Sequence, residues 1–283
     1  MGGSSLIDRI RELIKEDIGF EDITTNALIS DGMEAEAEII SRDDGIIAGV
    51  GIAKLTCDDF NLEFKAYKID GDMVAEDEIV LSMKGDARHI LLIERTLLNL
   101  MMRMSGVATL TYEMVEKARR YNPNIIIAGT RKTTPGLQWW EKQAIRIGGG
   151  DTHRFRLDDC AMIKDNHISL IGDLEEAIKK VKSYISFTKK IEVEVESVED
   201  AILAASCGVD IILLDNMEPA IIEDVIDALK KENLRDNVIL EASGGINPDN
   251  ICDYAATGVD VISMGFITHS TPVLDLSLEI SRA

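Results

Sequence analysis

"IEVEVESVEDAILAASCGVDIILLDN", residues 191–216, contains a strand, a helix and a second strand. Ile191–Glu196 alternates apolar and acidic residues, as a strand does. Ser197 is a helix cap and Gly208 a helix stop, and the next apolar run reaches Asp215. The same alternation recurs downstream of Gly106. "NIIIAG" ends at Gly129, "CAMIKDN" passes Lys164, "NVILEASGG" ends at Gly245 and "DVISMG" ends at Gly265. Between them, "EPAIIEDVIDALKKE" carries an early Pro219. "NPDNICDYAATG" offers Asn247 as cap with Pro248 at the first helical position. Strand-helix alternation of this kind predicts parallel β/α units.

Each apolar run finishes in a polar or small group: Thr130 and Arg131, Lys164, Glu194 and Glu196, Asp215, Ser243-Gly244-Gly245, and Gly265. An open doubly wound sheet gathers its ligand at one switch point. A barrel uses the carboxyl ends of many strands, and six contributing strands favour it. Glu192, Glu194 and Glu196 share one strand face, so that face meets polar space or ligand, or belongs to a wet edge strand.

The first hundred residues read as α+β. "LIDRIRELIKEDI" has helical spacing, Met33–Ser41 alternates, and "LEFKAYKID" and "DEIVLSMKGD" are further strands. His89–Gly106 is a long helix, apolar almost all round, that Gly106 closes and that joins two domains. The expected division is an α+β domain over 1–106, joined by 271–283, and an α/β barrel over 107–270.

The 283 residues carry a net charge of −21 and 46% hydrophobic residues, with mean hydropathy near zero. Such a chain is a soluble globular protein that avoids nucleic acid and anionic membranes. No apolar run approaches a membrane span, and the start has no signal-peptide core. Four scattered cysteines without CxxC fit reduced thiols in a cytoplasm. Residues 129–168 depart from this balance, with seven Lys/Arg against five Asp/Glu, a local net of +2.

That basic island holds two constellations. In "GTRKTTPG", Arg131 and Lys132 follow a strand directly, with Thr130 beside them, and suit carboxylate or phosphate. In "GGGDTHRFRLDDCAMIKDNHI", three glycines let the backbone pass close to something, His153 and Arg154 follow, and Lys164 sits on the next strand. Lys164 reads as a carboxylate binder, a Schiff-base lysine or a paired structural charge. Glu194 and Asp215, on adjacent strands, suggest magnesium shared with a phosphorylated substrate, bonds to sugar hydroxyls, or salt bridges to Lys164 or Arg154. Ser243-Gly244-Gly245 with Gly265 suits a phosphate. His153, His167 and His269 lie in or beside these motifs.

The ordered set "ERTLLNLMMRMSGVAT", "TRKTTPG", "GGGDTHR", "IKDNHI", "EVEVES", "LLDN", "SGGI" and "GFITHS" resembles quinolinate phosphoribosyltransferase, over about residues 20–275. The resemblance implies a sandwich-like α+β N-terminal domain and an incomplete (β/α) barrel related to the TIM barrel. It implies decarboxylating transfer from 5-phosphoribosyl 1-pyrophosphate to quinolinate, with Mg2+, in de novo NAD synthesis. By the same resemblance, Arg131, His153, Arg154 and Lys164 hold the quinolinate carboxylates. Lys132, with Arg95 from the partner of a homodimer, faces the pyrophosphate and substrate anions. Glu194 and Asp215 meet the ribose hydroxyls and the magnesium. Ser243, Gly244, Gly245 and Gly265 receive the 5′-phosphate, with His269 close by. The family's Asp before "TRKT" is Gly129 here. Nicotinate as substrate without decarboxylation, a related family member in another pathway, a Schiff-base lyase using Lys164, and a non-catalytic phosphate-ligand binding protein are the alternative readings.

Overall fold

The computed structural model describes residues 3–283. It divides into two compact units, Met1–Leu110 with Thr271–Ala283, and Thr111–Ser270.

The first unit begins with α1 (Gly3–Ile18), α2 (Ile23–Leu28), β1 (Glu34–Ser41), β2 (Gly45–Ile46) and α3 (Val50–Asp59). β3 (Glu63–Ala66), β4 (Met73–Val74) and β5 (Ile79–Asp86) follow, then α4 (Ala87–Arg119), and the chain's last strand, β12 (Leu276–Arg282). An antiparallel sheet runs β12-β1-β5-β3, with β2 paired to β4. The burial of Ala35, Ala37 and Ile39, set off by exposed Glu34 and Glu36 and half-buried Glu38, follows the alternation of β1.

α4 corrects the sequence reading. It does not stop at Gly106 but runs 33 residues to Arg119. A Cβ at Gly106 would lie 2.0 Å from the Pro272 carbonyl oxygen and 2.9 Å from the Val273 Cα. The glycine therefore admits a crossing backbone; it does not terminate the helix.

The second unit holds β6 (Ile126–Ala128), α5 (Gln138–Ile147), β7 (Ala161–Ile163), α6 (Asp165–Ile171), α7 (Leu174–Tyr184) and β8 (Ile191–Val195). It continues with α8 (Val198–Ser206), β9 (Ile211–Asp215), α9 (Pro219–Lys231), β10 (Ile239–Ser243), α10 (Ile251–Ala256), β11 (Val261–Ser263) and α11 (Phe266–His269). Its six strands are parallel, in the order β6-β11-β10-β9-β8-β7. Strands β7 to β11 are neighbours in chain order, and the first strand, β6, pairs with the last. A doubly wound sheet would reverse direction at its first strand, whereas this order goes round. The ring lacks a β6–β7 ladder, which makes the barrel incomplete. There the glycine run brings Asp151 alongside Ala128, with Asp151 donating to the Ile127 carbonyl at 2.8 Å. A Cβ at Gly150 would meet that carbonyl at 2.9 Å, so the close approach is to β6.

Ser197 caps α8 through the Asp200 amide, and Pro219 opens α9, both as the sequence predicts. Asn247 does not cap α10. Its side chain accepts the Asp249 amide at 2.8 Å in a turn of its own, and the helix starts at Ile251.

Candidate active site

Residues two apart on a barrel strand point the same way. Glu192 and Glu194 on β8, Leu213 and Asp215 on β9, Glu241 and Ser243 on β10, and Val261 and Ser263 on β11 form such pairs. The register places Asp215 beside Ser243 and Ser243 beside Ser263. Asp215, Ser243 and Ser263 thus make an upper layer at the strand ends. One step beneath, the register sets Glu194 and Glu241 on either side of Leu213, and Glu192 lies one step deeper along β8. The upper layer, Glu194, Leu213 and Glu241 line one cavity of about 440 Å3, in the range of small-molecule sites.

The loops above supply the charge. Arg131, Lys132, His153, Arg154 and Lys164 all line the cavity. The Lys132 amide donates to Thr130 Oγ1 at 3.0 Å, and its carbonyl accepts from Thr268 Oγ1 at 2.7 Å. The Arg154 guanidinium donates to the Cys160 carbonyl at 3.2 Å and to Met162 Sδ at 2.8 Å. Lys164 is paired with Glu194, so of its three readings the structure shows an ion pair facing the cavity. Gly244 has φ +95°, and a Cβ there would fall 2.3 Å from Asn216 Oδ1. Only glycine lets this turn close over Asn216, which donates to the Ser243 carbonyl at 2.8 Å.

Below the cations sits a buried acidic pair. Glu192 is fully buried and Glu241 is 2% exposed. Neither Glu192 oxygen, nor Glu241 Oε1, has a hydrogen-bond partner. Burial first, then the charge of Glu241, pushes Glu192 up to about 7. Burial opposes charge on His153, but the hydrogen bond and charge of Glu241 and the charge of Glu192 outweigh it and raise its pKa. The geometry sets the tautomer: Nδ1 accepts the Arg154 amide at 2.8 Å, so the proton is on Nε2, 3.1 Å from Glu241. That amide opposes a second ring proton, and the contact decides in favour of neutral imidazole.

His153, Glu192 and Glu241 place one ligand atom each within 4.8 Å of the others, the one such trio found among the described residues. A metal on Nε2 would require the proton on Nδ1, against the Arg154 amide, so this trio does not fit a metal. Glu194 and Asp215 fit a hard cation better. Each presents carboxylate oxygens to the cavity, and Asp215 keeps Oδ1 after accepting from Asn216 through Oδ2 at 2.7 Å. Magnesium typically needs only one or two carboxylates when substrate phosphates complete its shell.

The sequence profile for the quinolinate phosphoribosyl transferase C-terminal domain matches residues 107–279, and that for the N-terminal domain matches residues 22–105. The chain belongs to the quinolinate phosphoribosyltransferase family. A probable carboxylating nicotinate-nucleotide pyrophosphorylase of Methanothermobacter thermautotrophicus is 60% identical over 275 residues, covering 97% of this chain and 99% of that protein. The human carboxylating nicotinate-nucleotide pyrophosphorylase is 35% identical over 254 residues, covering 90% and 85%. The crystal structure of NadC from Streptococcus pyogenes superposes with a TM-score of 0.92 at 34% identity, covering 100% of both chains.

Of the site residues expected from the quinolinate phosphoribosyltransferase resemblance, Thr130, Arg131, Lys132, His153, Arg154, Lys164, Glu194, Asp215, Ser243, Gly244, Gly245, Gly265 and His269 line the one cavity. Arg95 does not; it is exposed on α4. His167 is also outside, and its Nδ1 accepts the Lys164 amide at 3.0 Å. Gly129 lines the cavity by its backbone, but a Cβ there would face α5, 2.5 Å from Ile145 Cδ1 and 3.7 Å from the Thr152 carbonyl. The acid missing at 129 would therefore point toward protein. Glu241 and Ser263 were missed by the sequence reading. The period of two, applied backward from Ser243, finds Glu241; Ser263 carries no comparable signal.

Proposed function

We propose that this chain transfers a phosphoribosyl group from 5-phosphoribosyl 1-pyrophosphate to quinolinate, giving nicotinate mononucleotide, pyrophosphate and CO2, in de novo NAD synthesis. Family membership supports the reaction. The observation that carries it is a single cavity lined by Arg131, Lys132, His153, Arg154, Lys164 and His269 together with Ser243-Gly244-Gly245 and Gly265, where Lys132 and His269 lie against Gly265. A dianionic ring and a phosphorylated sugar ask for that arrangement.

Arg131, Arg154 and Lys164 bind the ring carboxylates. Lys132 meets the pyrophosphate. The glycine turn after β10 takes the 5′-phosphate, and Asp215 and Glu194 orient the ribose hydroxyls. As the bond from C1 of the ribose to pyrophosphate breaks, cations already in place stabilise the departing charge. The ring nitrogen bonds to C1 and becomes a pyridinium. The bond to the adjacent carboxylate then breaks, CO2 leaves, the pyridinium stabilises the electron pair left on carbon, and a proton replaces the carboxylate. No covalent enzyme intermediate is needed, since holding the reactants together supplies much of the rate. Glu194 and Asp215 would hold Mg2+, which when bound would supply positive charge to offset the charge of the departing pyrophosphate. The partly exposed, ion-paired Lys164 lacks the apolar setting that makes a Schiff-base amine nucleophilic.

The proposed protein is a homodimer in which the exposed Arg95 enters the partner's site. The four free cysteines support a reducing, cytoplasmic setting, and no helix among the described residues is long and apolar enough to cross a membrane. The test is formation of nicotinate mononucleotide from quinolinate and phosphoribosyl pyrophosphate with Mg2+, run beside nicotinate. Turnover of quinolinate, with Lys132→Ala reducing kcat by about 10²–10³-fold, is expected. Turnover of nicotinate alone refutes the reading.

A further inference from the structure

Glu141 and Lys142 are adjacent on α5, and both are fully buried. Burying charges in a helix is costly unless each finds fixed partners. They reach two different loops. The Glu141 carboxylate accepts the Thr134 amide at 3.0 Å and the Thr134 hydroxyl at 2.8 Å. Lys142 donates to the Thr152 carbonyl and, at 3.2 Å, to the Arg154 carbonyl. Gln138, one turn before Lys142 on the same face, donates to the Phe155 carbonyl at 2.9 Å. The first loop carries Arg131 and Lys132; the second carries His153 and Arg154.

We propose that Glu141 and Lys142 are positioning residues, Glu141 fixing the Arg131–Lys132 loop and Lys142, with Gln138, fixing the His153–Arg154 loop. One helix thereby sets the spacing of the two cationic arms of the cavity. The kinetic part rests on the proposed phosphoribosyl transfer; the structural part does not. Carbonyl oxygens ask Lys142 only for N–H groups. Burial lowers its ammonium to about 8, and the neutral amine still has two such groups, so the clamp survives deprotonation.

The experiment uses the full chain and two readouts. Hydrogen exchange over residues 130–136 and 150–156 needs no substrate. Glu141→Ala is expected to speed exchange about tenfold in the first segment only, and Lys142→Met in the second only. Glu141→Gln, which still accepts from the Thr134 amide, restores protection. The second readout is steady-state kinetics. Lys142→Met is expected to raise KM for quinolinate about tenfold and leave KM for phosphoribosyl pyrophosphate within about twofold. If a buried substitution fails to fold, Thr134→Val and Gln138→Ala each remove one hydrogen bond from an exposed or half-buried side chain, with the same loop selectivity expected at smaller size. Unchanged exchange, equal loosening of both loops, or a fall in kcat with both KM values unchanged overturns the clamp. Loop-selective exchange in a protein that does not turn over quinolinate keeps the clamp and removes the transfer reading.

Discussion

Glu192 has a carboxylate that no donor reaches, in the interior of a barrel, with a second carboxylate as neighbour. Its folded pKa, about 7, lies above the ordinary carboxylate value. The folded state therefore binds more protons than the unfolded state between those values. The stabilisation is complete below the unfolded pKa and is lost as pH rises through about 7. Glu192→Gln removes the charge and keeps the shape. At pH 8 it is expected to melt roughly 2–4 °C above the parent, about 1 kcal/mol, with no difference near pH 4. Thermal melts at the two pH values check this, and equal melting at pH 8 refutes it. The sequence already showed that the Glu192 face could not meet an apolar layer. It did not show that Glu194 would be paired while Glu192 was left bare, because pairing depends on β7 and its Lys164, thirty positions away.

At the scale of elements, the barrel strands were legible because each is a short apolar run ending in a chemical group. Helix ends were less so. Gly106 stands within a helix that passes straight through it, and the reason lies in a segment more than 160 residues later. Local sequence has no access to such a contact. Gly106→Ala should cost about 1–3 kcal/mol by forcing the Pro272–Val273 backbone away. A shift in the urea midpoint at constant slope measures it, and an unchanged midpoint would contradict the close approach. α5 was the element least visible as functional. Nothing in the sequence marks its Glu-Lys pair as buried, and only the fold shows that both charges turn inward.

For the whole molecule, a chain of net charge −21 places Arg131, Lys132, Arg154 and Lys164 together in one cavity at the carboxyl end of a parallel ring. The acidic remainder keeps the chain away from polyanions, while the local cations hold small ones. If Arg95 completes a partner's site, mixing inactive Arg95→Ala and Lys132→Ala subunits regenerates one intact site in each hybrid dimer. Random exchange then restores roughly a quarter of the parent activity. No recovery after verified exchange places Arg95 outside the site. The family and the barrel were readable from ordered motifs spread along the chain; the buried contacts that hold those motifs in place required the fold. The central claim is that transfer and decarboxylation occur together in this cavity. Its most direct measurement is the CO2 released per pyrophosphate from quinolinate labelled in the 2-carboxylate. The account predicts one labelled CO2 for each pyrophosphate, both slowed by the same factor in Lys132→Ala. Pyrophosphate release with the label retained in the nucleotide would contradict it.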